Sequence, residues 1–242
     1  MLIEAESVKG LSRENNEDSF AIIQMFNHEE KALISVADGM GGGDYGEVAS
    51  STAVHSLASS FSEGLKRNVD FERLCNIVLE SFSSANQKIR EITLELNAEW
   101  MGTTMASLMV IGHKAFIANI GDSRAYVFDR QGNIIFRTKD HTYAQDLIDS
   151  GYSTYEDLRA DYRRNELTRA IGISENINPD YSVIEIWPGY SAILCTDGFW
   201  AYLGDDEIAM LALKQDVSAS DMVRAARNNG SDDDTTVIFI LF

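Results

Sequence analysis

The spacing of apolar positions changes along this chain, and each change marks an element. Leu2 to Lys9 alternates loosely and predicts a first strand. Leu11 to Asn16 is polar and turn-like. Ser19 to Phe26 is apolar and predicts a second strand, with His28-Glu29-Glu30 as its turn and Ala32 to Ala37 as a third strand. Strands on such short loops point to antiparallel pairing.

Two helical patterns follow. The first opens near Asp44 and places Val54, Leu57, Ala58, Phe61 and Leu65 on one stripe. The second starts from an Asp70 cap and carries Phe71, Leu74, Val78, Phe82, Ala85, Ile89, Ile92 and Leu96 at steps of three and four, an amphipathic pattern. Such a pair can cover one face of a sheet. Strands return at Thr103 to Ile111, Ala115 to Ile120, Arg124 to Phe128 and Asn133 to Arg137, which together predict a meander. His141 to Asn165 is irregular and polar, with short helices expected around Tyr143 to Ser150 and Tyr155 to Ala160. Asp180 to Trp187 and Ser191 to Thr196 read as strands. Asp205 to Leu213, and a segment from a Ser218 cap to Arg227, read as helices. Thr236 to Phe242 is apolar enough for a strand buried on both faces. Runs of strands and runs of helices, without strict alternation, predict an α+β layered domain over a doubly wound parallel sheet.

Composition narrows this picture. The 242 residues are 45% hydrophobic with two prolines and no Ser/Pro/Gly linker, so one globular domain is expected. A formal net charge of −18 argues against nucleic acid and anionic membranes as partners. Cys75 and Cys195 each sit in an apolar run and read as buried thiols, outside any Cys-x-x-Cys pattern, which fits a reducing cytoplasm. No apolar stretch is long enough for a membrane span, and Met1 to Gly10 lacks the features of a secretory leader.

The candidate chemistry lies where apolar runs meet acids. Leu33 to Ala37 ends at Asp38, followed by Gly39-Met40-Gly41-Gly42-Gly43. One such Asp-Gly is ordinarily a tight turn. The event recurs, however, at Asn16-Glu17-Asp18, Gly121-Asp122-Ser123, Thr196-Asp197-Gly198 and Asp232-Asp233-Asp234. Gathered in one place, these carboxylates could not all stay ionised without cations. Their hard oxygens favour Mg²⁺ or Mn²⁺ over Zn²⁺, and four histidines are few for a zinc hydrolase. Two such ions about 3.5–4 Å apart would activate a water toward a phosphoryl group. Arg13, beside the first acids, is the candidate for binding phosphate oxygens.

The motifs Arg13-Glu14-Asn15-Asn16-Glu17-Asp18, Val36-Ala37-Asp38-Gly39-Met40-Gly41-Gly42, Gly102-Thr103-Thr104, Gly121-Asp122-Ser123-Arg124, Asp140-His141, Leu167 to Gly172, Thr196-Asp197-Gly198 and Asp233 to Val237 occur in that order. Across essentially its whole length the chain resembles the PP2C-type (PPM family) metal-dependent serine/threonine phosphatases in their short bacterial form. The resemblance implies a four-layer α-β-β-α sandwich of two mostly antiparallel sheets flanked by helix pairs, over 1–242, with a flap subdomain at about 142–166. It implies that Asp38 bridges two Mn²⁺ or Mg²⁺ ions with the Gly39 carbonyl as a further ligand. Asp197 and Asp233 would hold the second ion, Glu17 and Asp18 would act through water, and Asp122 would help to hold a third, weaker ion. Arg13 would bind the substrate phosphate, and metal-bound hydroxide would attack phosphoserine or phosphothreonine directly. Gly102-Thr103-Thr104 and Leu167 to Gly172 would shape strands near the site. Phosphorylated proteins, including a Ser/Thr kinase and its substrates, are the implied partners. Anti-sigma-type regulatory switches share the chemistry, and a non-catalytic phosphoprotein- or metal-binding module is the alternative from another class.

The sequence departs from the family pattern in places. Met40 stands where many eukaryotic members carry a histidine assigned as general acid, which makes His141 a candidate substitute. Asp234 stands in place of the more usual Asn, which opens the ligand register among Asp232, Asp233 and Asp234; the distance to the last strand favours Asp233. Arg163 and Arg164 in the flap could meet acidic or phosphorylated partners.

Overall fold

The computed structural model describes residues 1–26, 30–42, 45–158, 161–214 and 217–242. In chain order the strands are β1 (Leu2–Val8), β2 (Asp18–Phe26), β3 (Glu30–Gly41), β4 (Met101–Thr103), β5 (Met105–Ile111), β6 (Lys114–Ile120), β7 (Arg124–Phe128), β8 (Ile134–Arg137), β9 (Asp180–Glu185), β10 (Ser191–Cys195) and β11 (Thr235–Leu241). The helices are α1 (Gly46–Lys66), α2 (Phe71–Glu95), α3 (Tyr143–Asp149), α4 (Tyr155–Leu158), α5 (Asp197–Trp200), α6 (Asp205–Leu213) and α7 (Ala219–Asn228). Among the described residues, one sheet runs β1-β11-β10-β7-β8 and the other β2-β3-β5-β6-β9, with β4 paired to β3. Every described pairing is antiparallel.

Period-two alternation explains how the layers stack. Ile34 and Val36 of β3 point between the sheets, where they meet Val127, Leu194, Ile238 and Ile240 of the opposite sheet. Leu33 and Ala37, one step out of phase, face α1 and α2 and pack with Leu57, Phe61, Phe82 and Ile89. In β11 the same alternation sends Val237 and Phe239 outward to Phe199, Ile208 and Met222 of the other helical layer. Each enclosed aliphatic or aromatic side chain contributes roughly 1.5–3 kcal/mol of burial. The expected α-β-β-α sandwich is therefore the observed one, and β11 is buried on both faces between β1 and β10.

Helix ends follow their local chemistry. Asp70 caps α2 by accepting from the Arg73 N–H at 2.8 Å, and Ser218 caps α7 in a reciprocal box with Asp221. The stripe expected on α2 is buried from Leu74 to Ile89, but Leu96 lies at its C-cap and is exposed.

Four expectations need correction. β1 pairs with β11 in one sheet while β2 and β3 pair in the other, so the first strands are not one antiparallel set. The expected meander is two hairpins: β5-β6 belongs to one sheet and β7-β8 to the other, and the chain crosses between sheets at Gly121 to Ser123. The strand expected at Thr103 to Ile111 breaks at Thr104 into β4 and β5. Cys75 is only partly buried, on the edge of the α1-α2 layer, whereas Cys195 is enclosed. The turn at His28-Glu29, the helix opening near Asp44 and the end of the second flap helix at Ala160 lie outside the described residues. No described helix is long and apolar enough to cross a membrane.

Candidate active site

Asp38 is not at a strand end. β3 runs on through Gly41, and its partner changes beneath Asp38: Val36 is the last residue paired with β5, and Gly39 the first paired with β4. Thr104 fills the break. Its N–H donates to the Asp38 carbonyl and its Oγ1 accepts from the Asp38 N–H, both at 2.9 Å. The same hydroxyl lies 2.6 Å from Ser123 Oγ in the β6-β7 crossover. Thr104 thus fixes Asp38 and the Asp122 loop against each other.

Gly39 is needed for close approach. A Cβ there would lie 2.0 Å from the Gly46 carbonyl oxygen and 2.7 Å from that of Glu17. A Cβ on Gly46 would meet both Glu17 Oε1, at 2.4 Å, and the Gly39 carbonyl oxygen, at 2.8 Å. Those two oxygens therefore converge at the start of α1. Gly121, at φ +91°, makes the turn that presents Asp122.

Ladder register and crossover bring the other acids to the same edge. Asp18 opens β2 directly opposite Asp38 of β3, a spacing that sets cross-strand Cβ atoms about 5 Å apart. Asp18 Oδ2 accepts from the Thr196 hydroxyl at 2.8 Å, while its buried Oδ1 has no hydrogen-bond partner. Asp197 opens α5, just past β10, and its buried Oδ1 is likewise unpartnered. Asp122 is 5% exposed.

The titration of these groups reports their crowding. Burial, opposed by hydrogen bonds from Thr236 and Thr196 and reinforced by the charges of Asp197 and Asp234, pushes Asp18 up to about 8. Burial and then Asp197, Asp18, Asp122 and Asp233 push Asp38 well above the carboxylate range. Asp122 rises through burial, Asp197 and Asp140, and Asp197 through burial and Asp233. By exposed surface Asp38 and Asp197 are only half-buried because they line an open cleft, but the protein packed around them still dominates their charge.

On the outer side, Arg13 donates from Nε to Asp233 Oδ1 at 2.9 Å, with a terminal nitrogen at 2.6 Å. Its other terminal nitrogen lies 3.7 Å from Glu17 Oε2. Asp234 is committed elsewhere: it accepts from the Gly10 N–H at 2.7 Å and from the Glu17 N–H at 2.8 Å. It ties the Arg13 loop to the last strand, while Asp233 takes the Arg13 fork and Asp232 is exposed. Among the described residues, no three His, Cys, Asp or Glu side chains form a complete metal cage.

His141 is fully enclosed and does not line the cleft. Its Nδ1 accepts from the Gly121 N–H at 3.1 Å, its own N–H donates to the Gly121 carbonyl at 3.0 Å, and Nε2 lies 3.3 Å from Asp180. Burial and Arg169 lower its pKa. Its place is behind the Asp122 loop. Arg163 is engaged by Asp161 at 3.2 Å and by the Tyr143 ring at 4.4 Å.

Trp200 carried no readable signal, and Arg124 and Asp140 appeared in motifs without a role. Trp200 Nε1 donates to the Asp122 carbonyl at 2.9 Å, and Arg124 stacks on the Trp200 ring at 3.4 Å. Arg124 also forms a buried two-point pair with Asp140, at 2.8 and 2.6 Å. The cleft itself, about 570 Å³, is lined on one side by Asp38, Asp122, Asp197 and Thr104, and on the other by Trp100 and the end of the flap.

The described geometry has known counterparts. A family model for protein phosphatase 2C matches residues 11–233. The chain belongs to the protein phosphatase 2C family. It is 29% identical to the serine/threonine phosphatase Stp of Listeria monocytogenes, over 99% of this chain and 95% of that one. The crystal structure of the serine/threonine phosphatase Stp1 from Staphylococcus aureus superposes with a TM-score of 0.88 at 29% identity, covering 99% of this chain and 94% of that chain. The catalytic domain of the serine/threonine protein phosphatase PstP, solved in complex with two manganese ions, gives a TM-score of 0.80 at 30% identity over 98% and 96% of the two chains. Membership of this phosphatase 2C family accounts for the sandwich, and relatives of this kind are protein serine/threonine phosphatases, hydrolases of phosphoric monoesters.

Proposed function

We propose that this chain hydrolyses phosphoserine and phosphothreonine on proteins with the help of Mn²⁺ or Mg²⁺, as a single domain with a flap at about 142–166. The observation that carries the reading is the set of crowded acids Asp18, Asp38, Asp122 and Asp197, two of them with a buried carboxylate oxygen that nothing satisfies. A carboxylate oxygen without a donor is costly to bury, and a cation removes that cost.

The donor set fits such ions. It is all oxygen, with no thiol and no accessible imidazole. Asp38, the Gly39 carbonyl and Glu17 would hold one ion, Asp38, Asp197 and Asp233 a second, and Asp122 a third, with Asp18 acting through water. When bound, the ions would supply an activated water and neutralise charge on the phosphoryl group.

The chain's own residues do the rest. Thr104 holds Asp38 from both backbone sides, and Asp234 holds the Glu17 backbone. Arg13 presents a planar fork to phosphate oxygens once it exchanges Asp233 for substrate. Met40 has no proton to give and His141 is enclosed, so the leaving-group proton comes from water in the open cleft. Retention of every acid in the motif supports this reading over a non-catalytic module. The acidic charge and a relative named as a serine/threonine protein phosphatase support a cytoplasmic enzyme opposing a Ser/Thr kinase.

Turnover of p-nitrophenyl phosphate and a phosphothreonine peptide should require added Mn²⁺ or Mg²⁺. Full activity in excess chelator would overturn the proposal, and so would thermal stabilisation by Mn²⁺ with no turnover of either substrate.

A further inference from the structure

The cleft has two chemically different walls. One carries the acids. The other is richer in apolar side chains, Met40, Trp100, Leu167, Ala170 and Ile173, with Asn165, Thr168 and Ser174 among them. Trp100 is 41% exposed and Ile173 48% exposed, so two large apolar side chains face water directly beside the candidate reaction centre. Apolar side chains that line a concave site beside a few convergent polar groups are positioned to contact what binds there.

The wall is preformed. The Trp100 indole lies over Gly42, whose notional Cβ would be 3.1 Å from Nε1, and the Gly42 N–H donates to the Trp100 carbonyl at 3.2 Å. Ile173 lies on Gly102, where a Cβ would come within 2.8 Å of Cδ1. The turn bearing Ile173 is clamped by buried Asn86 of α2, which accepts from the Gly172 N–H at 2.7 Å and donates to the Ser174 carbonyl at 2.9 Å. Both side chains are thus fixed to the β3-β4 ladder that carries Asp38, and ordering them on binding costs little.

Spacing links the two walls. Met40 lies two residues beyond Asp38 on the same strand, a step of about 6.6 Å that returns to the same face. An extended substrate advances about 3.3–3.6 Å per residue. Side chains within two residues of the phosphorylated one therefore reach the apolar wall while the phosphate sits among the acids. At the rim, Glu166 faces the cleft, and Arg169 is already paired with Asp180 at 2.7 Å. Acidic flanking residues would meet Glu166 without a free cation from Arg169.

We infer that this wall is the specificity determinant of the site, selecting phosphothreonine and phosphoserine segments with a large apolar side chain within two residues of the phosphorylated one. The inference rests on the phosphatase reading above. Two phosphothreonine peptides, identical except for Leu or Ala at the flanking positions, are assayed with the Mn²⁺-loaded full chain. The Leu peptide should show about tenfold higher kcat/KM, the scale of apolar pocket discrimination, expressed mainly in KM. Trp100→Ala and Ile173→Ser should each bring that ratio toward one, and Trp100→Phe should keep most of it. Both peptides are read on one preparation, so any misfolded fraction cancels. Equal kcat/KM for the two peptides in the unaltered chain, or an undiminished ratio in both Trp100→Ala and Ile173→Ser, would overturn the inference and leave the phosphatase reading standing. No turnover of either peptide or of p-nitrophenyl phosphate would overturn both.

Discussion

Asp122 and Asp140 are almost equally enclosed, at 5% and 7% exposure, and flank the same crossover between the sheets. They reach opposite electrostatic solutions. Asp140 takes Arg124 at two points, backed by the Trp200 ring, while the remaining Arg124 nitrogen donates to the Tyr126 hydroxyl, and the charge of Asp140 is matched within the chain. Asp122 faces Asp197, and its titration is driven up by burial and by acidic neighbours, with Arg124 only a minor correction. Burial alone therefore does not distinguish a structural carboxylate from a functional one. The distinguishing fact is whether the chain supplies the counter-charge or leaves it to come from outside.

The comparison breaks most sharply at Arg124. Arg124→Leu should cost about 3–5 kcal/mol in denaturant unfolding, because it strands Asp140 in the interior. Adding Asp140→Leu should recover most of that loss; a double variant as unstable as the single would mean the pair is not the cause. At the other pole, Asp38→Ala should lower kcat/KM in Mn²⁺ more than about 100-fold, beyond the loss typical of groups one step removed from a metal. In chelator the same variant should melt no lower than the unaltered chain, since one of four mutually repelling acids is gone.

Between these poles stands Thr104. Thr104→Val leaves the Asp38 N–H without its acceptor, at about 1–3 kcal/mol, and frees the Asp122 loop from its tie through Ser123. Mn²⁺ affinity should weaken about tenfold, and Thr104→Ser should restore it. A Thr104→Val protein with unchanged Mn²⁺ affinity would show that the hydroxyl carries no positioning role.

The last test is in pH. Asp18 is pushed up from 3.8 to about 8 in the folded chain. The native protein thus holds a proton across that window that the unfolded chain has released, so stability falls as pH rises from about 4 to about 8. Chelated protein should melt higher at pH 5 than at pH 8, by about 10 °C at the 2–4 °C per kcal/mol expected for a domain of this size. Mn²⁺ should reverse the slope, because it competes with protons for the same oxygens. A chelated melting temperature that rises with pH would contradict the crowding of acids.

Much of this was legible in the pattern of side chains. The span Asp205 to Leu213 and the span Arg124 to Phe128 match their elements residue for residue, because both are regular and bounded by turn residues. The acids were legible because each sits at one end of an apolar run, Asp38, Asp122 and Asp197 after it and Asp18 and Asp233 before it. Strand period does not say which sheet a strand joins, so the crossover at Gly121 to Ser123 read as one more turn of a meander. Glycines have no side chain to alternate, so the continuation of β3 through Gly41 was hidden and Asp38 looked terminal. α5 is four residues, shorter than any helical period can reveal. Arg124 and Asp140 are separated by sixteen residues of loop and strand, and nothing local announces that they meet.

The double acceptance by Asp234 carries a consequence for how the enzyme comes into being. Its bonds to Gly10 and Glu17 span 224 and 217 residues. β11, immediately after it, is an interior strand of its sheet, flanked on both sides. A ribosome delivers Arg13, Asp38, Asp122 and Asp197 long before it delivers these last pieces. Contacts of such separation also close slowly, after local structure has formed. The acidic edge is therefore complete only once β11 has docked between β1 and β10.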